Sequence, residues 1–214
     1  MQQISTVAEL AALIGEPLPR VRDKVRPALH ELDRAWLAAS PMCLVATSGP
    51  DGSCDVSPKG DPPGRLVHVM DETTIAIAER PGNRRADGYR NILANPHVGL
   101  EFLIPGRGDT LRINGRARLV TEPALLEAMA VKGHAPVLAL VVDIEEVFHH
   151  CAKAFLRSRL WEPATWSPAA VPDRPHLAKA FERPEDSLED LGAYYGPGYG
   201  GDLYGGPAVG ESPA

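Results

Sequence analysis

From Met42 onward, turn chemistry cuts the chain into short apolar runs, and that punctuation limits what it can fold into. MCLVATS is followed by GPDGS and then by the alternating CDVSPKG, which predicts a hairpin over 42–60. DPPG at 61–64 makes another turn before RLVHVM, a DET turn and TTIAIAE, a second pair of strands. HVGLEFLIPG predicts a strand over 97–104, PGRGD a turn, and TLRINGRARLVT a strand over 110–121. EPALLEAMAVKG reads as a short helix and APVLALVVDIEEVFHH as a long final strand. Strands joined mostly by tight turns pair antiparallel, and six or seven of them close best into a barrel.

The flanks read differently. Residues 6–38 predict helix: Thr6 and Glu9 form a capping-box pattern, Gly15 closes the first segment, and Val21, Val25, Leu29, Leu32 and Trp36 follow at helical spacing. Pro27 bends or breaks this amphipathic stretch, which suits a lid or a partner surface. Beyond Trp166 the chain turns polar, with a helix expected near 176–191 before the Gly/Tyr/Pro tail GAYYGPGYGGDLYGGPAVGESPA. Such a tail cannot bury a core and is expected to be flexible. The organisation expected is a helical segment over 1–40, a barrel domain over 41–163 and an extension over 164–214.

With 214 residues the chain can bury one domain of about 120–150 residues plus appendages. Its net charge of −6 argues against general nucleic-acid binding, so a local basic patch reads as a site for a small anion. Three cysteines without CxxC spacing fit reduced thiols. The N-terminus lacks a signal-peptide pattern, and no apolar run approaches the roughly 20 residues that span a bilayer. A cytoplasmic protein with no membrane partner is expected.

The basic patch is found in AERPGNRRADGYRNILANP, residues 78–96. Here a Pro-Gly-Asn turn is expected to start a helix at Asn83 as N-cap, with Ala86, Tyr89, Ile92 and Leu93 on its apolar side. Arg84 and Arg85 would then stand beside the free N–H groups of a helix start, a combination that favours phosphate. A capped helix with two solvated arginines accounts for the spacing equally well. Ser57 and Lys59 share one face of their strand and can hold the polar side of a ligand. Arg112, Asn114 and Arg116 also share a face, either solvent-directed or lining a polar site.

Other patterns carry less. His149-His150-Cys151 lacks the separated pairs of a zinc site, so no metal is assigned. Gly106-Arg107-Gly108 opens a strand rather than a helix and fails the dinucleotide context. Cys54 reads as a small buried residue. No residue is an evident general acid or base, and no catalytic residue is named.

DVSPKGD, RPGNRRADGYRNILANPHVGLEFL and TLRINGRA, in that order, resemble the pyridoxamine 5′-phosphate oxidase-like family of FMN-binding split barrels. The resemblance extends to CAKAFLRSRLW at 151–161. It implies a mainly β, α+β fold: a six-stranded antiparallel split β-barrel with peripheral helices, forming a homodimer with FMN at the interface. By position, Ser57 and Lys59 would lie near the ring or ribityl chain, and Asn83, Arg84 and Arg85 would hold the phosphate. Arg112 would contact flavin, with Arg157, Ser158 and Trp161 reaching it across the interface. The implied activity is an FMN-dependent oxidoreductase acting on a small molecule. The alternative is a non-enzymatic carrier of flavin, deazaflavin or haem. RLWEP at 159–163 only faintly echoes the Arg-rich ending of the vitamin B6 oxidases, so pyridoxamine phosphate is not assigned as substrate.

Overall fold

The computed structural model describes residues 1–201 and 203–205. Helix α1 (Val7–Ile14) carries the capping box: Thr6 Oγ1 accepts from the Glu9 amide and the Glu9 carboxylate accepts from the Thr6 amide, each at 3.2 Å. Residues 19–38 are not one helix. The single turn α2 (Pro19–Arg22) and helix α3 (Glu31–Ala39) flank an extended segment in which Arg26 exchanges backbone hydrogen bonds with Val147. Pro27 explains the break, because the residue before a proline is pushed toward extended backbone.

Seven strands follow rather than six: β1 (Met42–Ser48), β2 (Cys54–Gly60), β3 (Val67–Val69), β4 (Thr74–Ala78), β5 (His97–Leu103), β6 (Thr110–Val120) and β7 (Ala139–His150). They form one antiparallel sheet in the order β2-β1-β5-β6-β7-β4-β3. Its end strands, β2 and β3, share no ladder, so the sheet is open. Helix α4 (Asp87–Ala94) lies between β4 and β5, and α5 (Pro123–Ala128) between β6 and β7. After β7 come α6 (Lys153–Ser158), α7 (Arg174–Phe181) and α8 (Leu188–Tyr194). The helix expected over 176–191 is therefore two helices; Pro184 lies between them and cannot continue the first.

Alternation along the strands builds the core. Val45, Leu100, Phe102, Ile113 and Val142 point to one side, where Leu37 of α3 and Ile92 of α4 pack on them. The long β6–β7 pairing carries a register shift between Asn114 and Gly115. A Cβ at Gly115 would lie 2.1 Å from the Asp143 carbonyl oxygen, so the bulge requires glycine there. Cys54 corrects the sequence reading: it is exposed at the start of β2. Part of the tail is also placed, including a Tyr204 contact described below; residues 202 and 206–214 lie outside the described residues.

A buried carboxylate ties the N-terminal segment to the sheet. Asp33, 1% exposed, takes both guanidinium nitrogens of Arg26, the His30 amide and the ring of His149 at 3.0 Å. This accounts for one half of the His149-His150 pair; His150 lies 3.8 Å from Glu101. Burial pushes the Asp33 carboxyl up, but the Arg26 hydrogen bond, the His30 amide, the Arg26 charge and His149 together leave it below its ordinary 3.8.

The sign of the resulting pH dependence follows. Folding favours the ionised form, so the contribution is complete above the unfolded value of 3.8 and is lost as pH falls through the lower folded value. Replacing Asp33 with Ala should cost about 3 kcal/mol near neutrality. The gap between wild type and variant should shrink below about pH 4. Urea denaturation across pH 3–7 checks both; a gap that is constant with pH would contradict the assignment.

Candidate functional site

A cleft of about 540 Å³ opens between the end of β2 and the segment running from β4 into α4. Val45, Leu66 and Ile92 supply apolar lining. Ser57 and Lys59 face it from β2, as the strand alternation predicts, and Asn83, Arg84 and Arg85 border it from the loop. Five of the nine residues expected at a cofactor site thus share one cleft.

The loop is built differently from the expectation. Asn83 is not an N-cap: its Oδ1 accepts from the Arg85 amide at 3.1 Å, closing a turn on itself. Arg84 and Ala86 then take left-handed backbone, φ +59° and +56°, which delays the helix until Asp87. Both arginines therefore precede the helix instead of occupying its first turn. Ala86 gives no side-chain cap, so the opening N–H groups of α4 remain available at the cleft.

Two residues not assigned to the site from sequence, Glu79 after β4 and Tyr89 of α4, join Lys59 across the cleft. The Lys59 ammonium lies 2.5 Å from Glu79 Oε2 and 3.0 Å from the Tyr89 hydroxyl, and that hydroxyl donates to Glu79. Burial first, then the hydrogen bond and charge of Glu79, push the Tyr89 phenol well above its usual value, so it stays protonated. At the next residue, Arg80 Nε meets Asp61 Oδ2 at 2.8 Å and its other arm reaches the Met129 carbonyl. Glu79 and Tyr89 are ten residues apart in sequence, and Lys59 twenty from Glu79, so no local spacing advertises the cluster.

The charges lining the cleft balance: Lys59, Arg80, Arg84 and Arg85 against Asp55, Asp61, Glu79 and Asp87. Lys59 and Arg80 are paired as described, and Arg85 pairs with Asp87 while remaining 78% exposed. Among the described residues Arg84 is the cleft cation without an ion-pair partner.

The other four expected residues do not reach this cleft. Arg112 projects from the opposite side of the sheet, because its neighbours Leu111 and Ile113 are fully buried in the core. Its guanidinium stacks 4.4 Å from the Phe148 ring, and its Nε is buried without a partner. Trp161 donates to the Arg107 carbonyl at 2.6 Å and stacks on Phe155, and Ser158 donates to the Phe155 carbonyl. Arg157 is exposed at the end of α6. Among the described residues no group of His, Cys, Asp and Glu is placed to hold a metal ion, and no helix is long and apolar enough to cross a membrane.

HupZ of Group A Streptococcus aligns over 56% of this chain and 93% of its own, with 21% identity and a TM-score of 0.46. A protein from Clostridium acetobutylicum related to general stress protein 26, of the pyridoxinephosphate oxidase family, covers 56% of this chain and 85% of its own at 17% identity and a TM-score of 0.43. A FAD-binding protein from Mesorhizobium loti covers 58% of this chain and 96% of its own at 19% identity and a TM-score of 0.39. No curated protein sequence matches. The family model described as pyridoxamine 5′-phosphate oxidase matches residues 29–151, more than half of the chain and every strand of the sheet. The chain belongs to the pyridoxamine 5′-phosphate oxidase-like family.

Proposed function

We propose that the cleft holds FMN and that the protein is a flavin-dependent oxidoreductase acting on a small molecule. The observation that carries the reading is Arg84, an unpaired cation in a left-handed loop, set beside the free N–H groups that open α4. A phosphate is drawn to both, and a guanidinium can bond two of its oxygens together. The cleft volume falls within the range of small-molecule sites, and its apolar lining suits a ring system. Bound there, the flavin would supply the redox chemistry, and the chain would bind, orient and tune it. Lys59 is held in place by Glu79 and Tyr89 as a hydrogen-bond donor at the wall, and Tyr89 remains a neutral phenol over the physiological range. Haem is less well supported in this cleft, because among the described residues no histidine, cysteine or methionine lines it and the Tyr89 hydroxyl is already held by Lys59 and Glu79. Turnover of a reduced nicotinamide against oxygen or a quinone separates an oxidoreductase from a flavin carrier.

The two arginines differ in pairing, so they should differ in effect. Arg84→Gln should weaken FMN binding by roughly 10- to 100-fold, the loss of a hydrogen bond to a charged group. Arg85→Gln should stay within about threefold, since Asp87 already neutralises it. Titration of FMN into each variant, with circular dichroism as the fold check, decides the matter. Equal weakening, or none at Arg84, would remove the phosphate assignment.

The chain also works as a homodimer on this reading. Arg112 supports it: its guanidinium stacks on Phe148 on the outer side of an open sheet, a face that a second copy can cover. In that dimer Arg112, Arg157, Ser158 and Trp161 would approach the partner's cleft. Light scattering should return about twice 23.0 kDa; a monomer with FMN bound would contradict the arrangement.

A further inference from the structure

The family match ends at residue 151, yet a residue far beyond it returns to the cleft. Helices α7 and α8 pack on each other with Ala178 and Leu191 fully buried. Tyr194, Tyr195 and Tyr199 form mutual ring contacts with centroids 4.8–5.5 Å apart, and the Arg183 and Arg174 guanidiniums lie over Tyr194 and Tyr195 at 4.9 Å. This hairpin is the base from which the chain runs on to Tyr204. The Tyr204 hydroxyl donates to Asp61 Oδ1 at 3.0 Å, while Arg80 holds the other oxygen of the same carboxylate. The Tyr204 ring lies 5.4 Å from the Arg80 guanidinium and 5.7 Å from the Lys132 ammonium. Asp61 and Arg80 both line the cleft, and their side chains are only 2% and 12% exposed.

We propose that Tyr204 is a strap that latches the Asp61–Arg80 wall of the cleft from behind and, through that wall, sets how fast a bound ligand exchanges. The inference rests on the reading of this cleft as a ligand site. Three features fit a strap better than a structural brace. Tyr204 is attached by one hydrogen bond and two cation–π contacts, so it can leave without global unfolding. Asp61 keeps Arg80 when Tyr204 departs, so the wall remains neutral and intact. And Tyr204 touches the two residues of the wall without itself lining the cleft, which suits control of the wall's mobility more than direct recognition.

The test compares the full chain with Tyr204→Phe, Tyr204→Ala and a chain ending at Gly201. Stopped-flow measurement of FMN release should show release roughly tenfold faster in Tyr204→Ala and in the shortened chain, the scale of one hydrogen bond to a charged acceptor. Tyr204→Phe should lie between these and the full chain. Amide hydrogen exchange at Gly60–Asp61 and Glu79–Arg80, without ligand, should also accelerate while the core strands β5 and β6 stay protected. Release within about twofold of the full chain in all three, or unchanged exchange at those amides, would overturn the strap. If the full chain binds no FMN, the FMN reading falls separately, and hydrogen exchange alone decides whether Tyr204 latches the wall.

Discussion

Two ion pairs, Lys59–Glu79 and Arg80–Asp61, cross a gap that no backbone ladder closes. β2 is one end of the sheet, and at the other end β3 stops pairing at Ile77, which leaves Ala78–Arg80 uncovered on that side. An open edge invites pairing with another chain unless something covers it. Here the edges are joined by side chains, and the space a further strand would have filled remains as the cleft. The helix α4 enters the same space and contributes Tyr89 to the Lys59–Glu79 cluster and Ile92 to the core. The split therefore positions every group assigned to the site.

The same pairs set how the cleft presents its charge. A pocket with four unpaired cations would attract any polyanion, but three of these four are already neutralised by carboxylates on the wall. On the proposed reading, attraction would be concentrated at Arg84 and the start of α4, which would orient an anionic ligand without raising its affinity indiscriminately. Lys59 and Arg80 are 16% and 12% exposed, so their pairing also avoids leaving a charge uncompensated near the core.

Much of this was legible in the sequence, for identifiable reasons. GPDGS, DPPG and PGRGD are strong turn signals, so the strands between them stood out. The alternation in CDVSPKG put Ser57 and Lys59 on one face of the strand, and both line the cleft. The same rule applied to TLRINGRARLV puts Leu111 and Ile113 inside and Arg112 outside, so the other side of the sheet was readable there too. The loop at 82–86 was not, because left-handed backbone at Arg84 and Ala86 carries no signal when the residue is not glycine. Asp87, an acidic residue at the true helix start, was the available clue. The Lys59–Glu79–Tyr89 cluster and the Tyr204 contact depend on segments brought together only by the tertiary fold. In the tail, a composition typical of flexible chain concealed one tyrosine with a specific partner.

The central claim is that the gap between the sheet edges, and not the outer side of the sheet, receives the ligand. Amide chemical-shift mapping of the isotope-labelled protein during FMN titration tests it most directly. The account predicts shifts concentrated at residues 57–61 and 79–89, the two sides of the gap. Shifts confined to the outer side around Arg112, Asn114 and Glu146, with residues 79–89 unmoved, would contradict it.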